Sequence, residues 1–261
     1  MVDQPKSPMD MQAALEDVTR GDVTRSAPPT ASTAGAALWL KVTLAQGLLN
    51  TAAARFWSDP EMPRFFPSFL VELYSIVRCS VPLMERALKR AKQLAAHDEL
   101  ARVTAGYLRL HIEEERHHDE WLLDDLVAAD MDRELLRKNP PSANAARLVG
   151  AQYCWIEHAH PAAVFGYLGI IEGNPPLPQH IEEIRRQTGY PSDVFRSMHL
   201  HAVHDVDHLA SLKATIVALP LTDVNERLVA TSAFATLHAL VRMLEDIATA
   251  GEYDSRLAAA V

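Results

Sequence analysis

HAVHDVDH, residues 201–208, decides how the rest of this chain is read, because it sets three histidines and two aspartates in eight residues between apolar neighbours. It lacks the glycines of a turn and the lysines of a solvated helix face. On a helix, residues three, four and seven apart share one face, so His201, His204, Asp205 and His208 form a stripe from which His199 and Asp207 depart. The stripe runs on to Leu212 and Ile216 and so points into a core. Buried imidazoles and a carboxylate need partners, since an unpaired buried charge costs on the order of several kcal/mol. A divalent metal held by His201, Asp205 and His208 would satisfy all three groups. A hydrogen-bonded His/Asp cluster would satisfy them too.

Outward from this stretch the helical pattern continues. Helices are expected near 36–56, 64–95, 97–129, 142–158, 161–173, 178–188, 191–218 and 222–250. Pro161 suits a first helical turn, where its missing N–H is not needed. Gly173 followed by Asn174, Pro175 and Pro176 stops a helix. Pro191-Ser192-Asp193 starts the helix that carries the opening stretch, Pro220 ends it, and Thr222 and Asp223 cap the last one. No strand of period 2 and no Gly-rich phosphate loop is seen. Residues 1–33, rich in Asp, Thr, Ser, Pro and Ala, are expected to be a flexible arm. Residues 34–261 then form one all-α domain, a bundle of seven to eight helices.

Composition narrows the function. A net charge of −9 argues against nucleic acid or an anionic membrane as the main partner. Cys79 and Cys154 are isolated thiols without metal or redox spacing. MVDQPKSPMDMQ at the N-terminus has no apolar signal core, and no apolar run is expected to span a membrane. A cytoplasmic protein is therefore expected.

Two further stretches carry chemistry. In HIEEERHHDEW, 111–121, Glu115 and His118 form Glu-x-x-His, Glu114 pairs with His118 four residues on, and His111 lies two turns before His118 on the same face. Glu-x-x-His is a unit with which carboxylate helical bundles bind two irons. A charged surface helix accounts for the same letters, and an overlapping register pairs Glu114 with His117. In AVFGYLGIIEGNPP, 163–176, Glu172 ends an otherwise apolar helix, either reaching solvent or serving as a buried ligand. Eleven of the twelve histidines lie between 97 and 208. Imidazole and carboxylate together suit iron or manganese, with zinc also accommodated.

The order Glu-x-x-His, then Ile171-Glu172-Gly173, then His201-Ala202 through Asp205 to His208 resembles the haem-oxygenase-like diiron oxidases and oxygenases, including the UndA-like fatty-acid decarboxylases. The likeness covers roughly residues 55–215, and FLVELYSIVRCS, 69–80, is similar to the first core helix of the wider TenA/PqqC-like superfamily. This resemblance implies a haem-oxygenase-like bundle and metal ligands Glu115, His118, Glu172, His201, Asp205 and His208. It also implies two Fe(II) ions and O2 as co-substrate. One position departs from the family, where a further glutamate ligand is aligned with Arg78. His111 or Glu114 could take that ligand's place, or Arg78 could anchor a substrate carboxylate over the metals.

The function expected from the resemblance is O2-dependent oxidation of a small molecule in specialised metabolism: N-oxygenation of an amine, or oxidative C–C or C–N cleavage of an amino or fatty acid. The alternatives are a metal-free TenA/PqqC-like enzyme using histidine acid–base chemistry, and a non-catalytic helical binding protein. The partners expected are a small-molecule substrate, with carboxylates among the candidates, and a second copy of the chain in a homodimer.

Overall fold

A computed structural model describes residues 32–173 and 175–250, apart from the side chains of 203–207 and of Ala250. Among the described residues there is no strand. The helices are α1 Thr33–Trp57, α2 Met62–Leu94, α3 Glu99–Glu115, α4 His118–Ala128, α5 Arg133–Lys138, α6 Ala143–His158, α7 Val164–Ile171, α8 Pro178–Thr188, α9 Arg196–Ala218 and α10 Asp223–Ala250. Short 3-10 turns at Pro161–Ala163 and Ser192–Phe195 lead into α7 and α9.

Local chemistry sets these limits. Ser32, Asp98 and Ser142 each accept a backbone N–H three residues on, from Gly35, Ala101 and Ala145, and so cap α1, α3 and α6. Pro161 opens its turn, and Gly189 closes α8 with a left-handed φ of 73°. Of the expected arm, residues 1–31 lie outside the described residues, while Ser32 and Thr33 belong to the start of α1.

Three expectations are corrected. The helix expected over 97–129 is two, because the chain breaks at Arg116 and His117, where His117 adopts φ 72°. Its solvent-exposed position lets histidine take a left-handed conformation that a branched side chain would resist. The stretch between α4 and α6, to which no helix was assigned from the sequence, contains α5, started by the Asp132 cap. The third concerns apolar length. By length and composition alone Met62–Leu94 and Asp223–Thr249 could each cross a membrane, contrary to the expectation that no run would. Both are core helices here. From α2 come Phe65, Phe66, Leu70, Leu83 and Met84, and from α10 Val229, Ala233 and Leu237, all buried.

α10 packs along α1, α6 and α7, and α2 lies against α3, α4 and α6. Residues 164–170 of α7 are all buried, as a helix that is apolar all round requires. Contact here is backbone to backbone: a Cβ on Gly166 would stand 2.3 Å from the Val229 carbonyl oxygen and 2.6 Å from the Ala233 nitrogen. At the far end of α7, Gln46 Nε2 donates to the Gly169 carbonyl at 2.7 Å. It lies so near Gly173 that a Cβ there would fall 1.5 Å away. These approaches fix where α7 delivers Glu172.

Candidate metal centre

Four elements converge on one buried cluster. α3 brings His111, Glu114 and Glu115 at its C-terminal end, α4 brings His118 as its first residue, Glu172 follows α7, and α9 brings His201 and His208. The break at Arg116–His117 separates the parts of the Glu-x-x-His unit. The turn re-aims the chain so that His118 is buried while His117 is exposed.

Glu115 is the centre of the arrangement. Its Oε2 lies 2.9 Å from His118 Nδ1 and its Oε1 lies 3.2 Å from His208 Nδ1. Ligand atoms of His111, Glu115 and His208 lie within 4.8 Å of one another, and so do those of Glu115, His118 and His201. The carboxylate is thus common to two potential coordination groups. His111 Nε2 is 2.8 Å from Glu172 Oε1, and its Nδ1 is 3.5 Å from Glu114 Oε2. Glu114 also approaches His208 Nε2 at 3.7 Å. His201 Nδ1 donates to the Ser197 carbonyl oxygen at 2.8 Å, which fixes the tautomer and leaves Nε2 to serve as a ligand atom.

Aromatic rings wall the cluster. Tyr107 stacks on His111 at 5.1 Å between centroids and also meets Phe165. Trp121 stacks on His118 at 4.1 Å, and His118 and His201 meet edge to face at 4.8 Å.

Low dielectric and close charges displace the titrations. Burial works against a charged His111, but the Glu172 and Glu114 carboxylates outweigh it and push the imidazole up to about 10. Burial raises the Glu172 carboxyl above the usual carboxylate range, with His111 opposing. Glu115 is buried too, yet its contacts with His118 and His208 hold it well below that range. His208 is raised, chiefly by Glu115, whereas burial and then the neighbouring His118 lower His201.

The groups fit a metal. Glu172 Oε2 is buried with no hydrogen-bond partner among the described residues. His118 Nδ1, although close to Glu115, has no aligned hydrogen bond among them either. Buried orphans of this kind are rare in proteins, and a cation bound at each would take up its lone pair. The donors are imidazole and carboxylate, with no thiolate. Cys79 is half-buried, its thiol raised by burial, and Cys154 is exposed.

Seven of the residues singled out in the sequence therefore meet here: His111, Glu114, Glu115, His118, Glu172, His201 and His208. The Asp205 side chain lies outside the described residues. Sequence reasoning missed Tyr107, four residues before His111, and Asp125, seven after His118. Both spacings return to a ligand's helix face, which is the signal that could have found them.

Arg78 has a different place from the expected one. Its guanidinium donates to the carbonyl oxygens of Asn139 at 2.7 Å and Leu136 at 3.4 Å, at the C-terminal end of α5, and lies over the Tyr74 ring at 5.2 Å. A cation is favoured there because the last carbonyls of a helix are unpaired and carry partial negative charge. Those contacts engage both terminal nitrogens without a substrate anion, while Nε is buried with no hydrogen-bond partner among the described residues. Arg78→Ala is expected to destabilise the protein by about 1–3 kcal/mol, a fall in Tm of roughly 2–4 °C per kcal/mol at this size, with iron uptake unchanged. Loss of iron at an unchanged Tm would return Arg78 to the centre.

The fold has known counterparts. The chain resembles a domain of unknown function with a haem oxygenase-like fold from Shewanella denitrificans, with a TM-score of 0.65 and 14% identity over 81% of this chain and 90% of that one. It resembles a TenA homologue from Pseudomonas syringae pv. tomato equally well, with a TM-score of 0.64 and 12% identity over 84% and 94%. At these identities the likeness shows the fold, a haem oxygenase-like helical bundle. No curated protein matches the chain. A sequence model of one family matches residues 69–241, from near the start of α2 into α10, and so spans every described residue of the cluster. The chain belongs to that family, the iron-containing redox enzymes.

Proposed function

We propose that this chain is a non-haem iron, O2-dependent oxidase or oxygenase acting on a small organic molecule. One observation carries the reading. The Glu115 carboxylate lies between two histidine groups, with one oxygen toward His118 and the other toward His208. A single carboxylate spanning two donor groups suits two cations better than one. His111, Glu115 and His208, with Glu172 beside them, would hold one Fe(II). Glu115, His118 and His201 would hold the other, and Asp205 is the remaining ligand proposed. Bound there, the metal would supply the electrons for reducing O2 and so the oxidising power directed at the substrate.

The protein's own groups do the rest. His111 and Glu172 share a proton between Nε2 and Oε1 in the metal-free chain and must give it up to bind a cation. The Ser197 carbonyl holds the His201 ring with Nε2 free. Tyr107, Phe165 and Trp121 exclude water from the histidines, which strengthens every charge interaction among them. The substrate class, whether amine, amino acid or fatty acid, belongs to the same proposal. So do the homodimer and the cytoplasmic setting. Cys79 and Cys154 belong to neither donor group.

The test is anaerobic loading with Fe(II) followed by exposure to O2. Between one and two irons per chain and iron-dependent O2 consumption are expected. If wild type and His208→Ala hold the same trace of iron, the reading is wrong. The register at the helix break is tested in the same assay. His118→Ala is expected to lower iron content and abolish activity, whereas exposed His117→Ala keeps both. Equal loss from His117→Ala would shift the ligand assignment by one residue.

A further inference from the structure

Asp125 lies on α4, seven residues after His118, and is a fully buried carboxylate outside the cluster. It accepts the Ser197 backbone N–H at 2.9 Å and also the Ser197 hydroxyl. Ser197 stands in the first turn of α9, where a helix has N–H groups without intrahelical partners. The residue preceding that helix is Phe195, which has no side chain to cap it. The cap comes instead from a different helix. Ser197 in turn accepts His201 Nδ1 on its carbonyl oxygen at 2.8 Å. A continuous line of hydrogen bonds therefore runs from the α4 carboxylate through the first turn of α9 to a candidate ligand.

We propose that Asp125 is a positioning residue for the candidate metal centre: by capping α9 from α4 it sets the Ser197 carbonyl that fixes the His201 ring, and so ties His201 to His118, carried by the same helix as Asp125. The assignment rests on the proposed function for its purpose, but not for its geometry. Burial of the carboxylate supports it independently. Asp125 keeps one oxygen, Oδ1, without a hydrogen bond among the described residues, and Arg196 Nε approaches that oxygen only to 3.9 Å. Burial raises its titration to about 6 despite the Ser197 bonds. A merely convenient cap would be a solvated serine or asparagine on α9 itself. A carboxylate brought from α4 couples two ligand-bearing helices.

The experiment uses full-length wild type, Asp125→Ala, Asp125→Asn and Thr236→Ala, the last removing a buried hydroxyl from the remote Gln152–Ser232 network. Two quantities are read: the 15N shifts of the His201 ring in metal-free protein, and Fe(II) affinity by anaerobic competition titration. Wild type is expected to show the Nδ1–H tautomer. Asp125→Ala should lose it and bind Fe(II) about tenfold or more weakly, the usual scale for losing an outer-shell partner. Asp125→Asn, which retains an acceptor for the Ser197 N–H, should restore most of both, and Thr236→Ala should alter neither. An unchanged His201 tautomer in Asp125→Ala overturns the proposal, as does an equal change in Thr236→Ala. Should Asp125→Ala not fold, Asp125→Ser, too short to reach, gives the same readings. If wild type takes up no Fe(II), the proposed function fails, while the metal-free tautomer still decides for or against Asp125.

Discussion

Glu115→Ala is expected to leave the chain folded but nearly free of iron. Removing an outer partner of a metal ligand typically weakens binding 10–100-fold. On the proposed reading Glu115 serves two ions, so its removal takes a ligand, and its charge, from both at once. Affinity should fall by more than about a hundredfold, and iron retained after desalting should drop toward zero. The loss should be larger than for His201→Ala or His208→Ala, each of which belongs to one donor group only. Iron counts on anaerobically loaded protein, with circular dichroism to confirm the helices, make the comparison. Retention of one full iron per chain would show that Glu115 serves a single ion. Wild-type iron content would remove it from the centre.

The largest expected effect on stability comes from a methyl group. At Gly166→Ala the new Cβ would stand at sub-contact distance from the backbone of α10 at Val229 and Ala233, and 2.7 Å from Ser232 Cβ. Backbone cannot rotate aside as a flexible side chain can, so α7 must move away from α10. Overpacking a core costs about 1–3 kcal/mol and occasionally more, and rigid backbone on the opposing side places this change at the upper end. A fall in Tm of roughly 6–12 °C follows at about 2–4 °C per kcal/mol. Because α7 delivers Glu172, the variant should also bind iron more weakly than its residual fold content explains. A Tm within a degree of wild type would show that the two helices separate at little cost.

Much of the candidate cluster could be read in the sequence because its histidines and glutamates recur at helical spacings. His201 and His208 sit seven apart on a stripe that runs into Leu212 and Ile216, both buried. The apolar run before Glu172 could only be an interior helix. Residue types alone named the donor chemistry, since imidazole and carboxylate without thiolate suit iron or manganese, with zinc also accommodated. The break at Arg116–His117 was not legible. No glycine or proline marks it, and the sequence 111–121 fits an unbroken helix as well as a broken one. The contacts of Arg78 were not legible for a related reason. The acceptors of its guanidinium lie 58 and 61 residues further along the chain, on an element the sequence reading left out.

Local periodicity, caps and prolines thus determined an all-α bundle, most of its helix limits, and the inward stripe that carries His201 and His208. Those properties depend on neighbours within a few residues, and spacing expresses them directly. Only the tertiary structure decided that Glu115 stands between two histidine groups, that His111 pairs with Glu172, and that Asp125 caps a helix other than its own. Each of these joins atoms far apart along the chain at distances near 3 Å. Such distances are set by how closely helices approach, as at Gly166 against Val229, and by the angle of one turn at His117. Packing of whole helices fixes both quantities, and no local pattern encodes them.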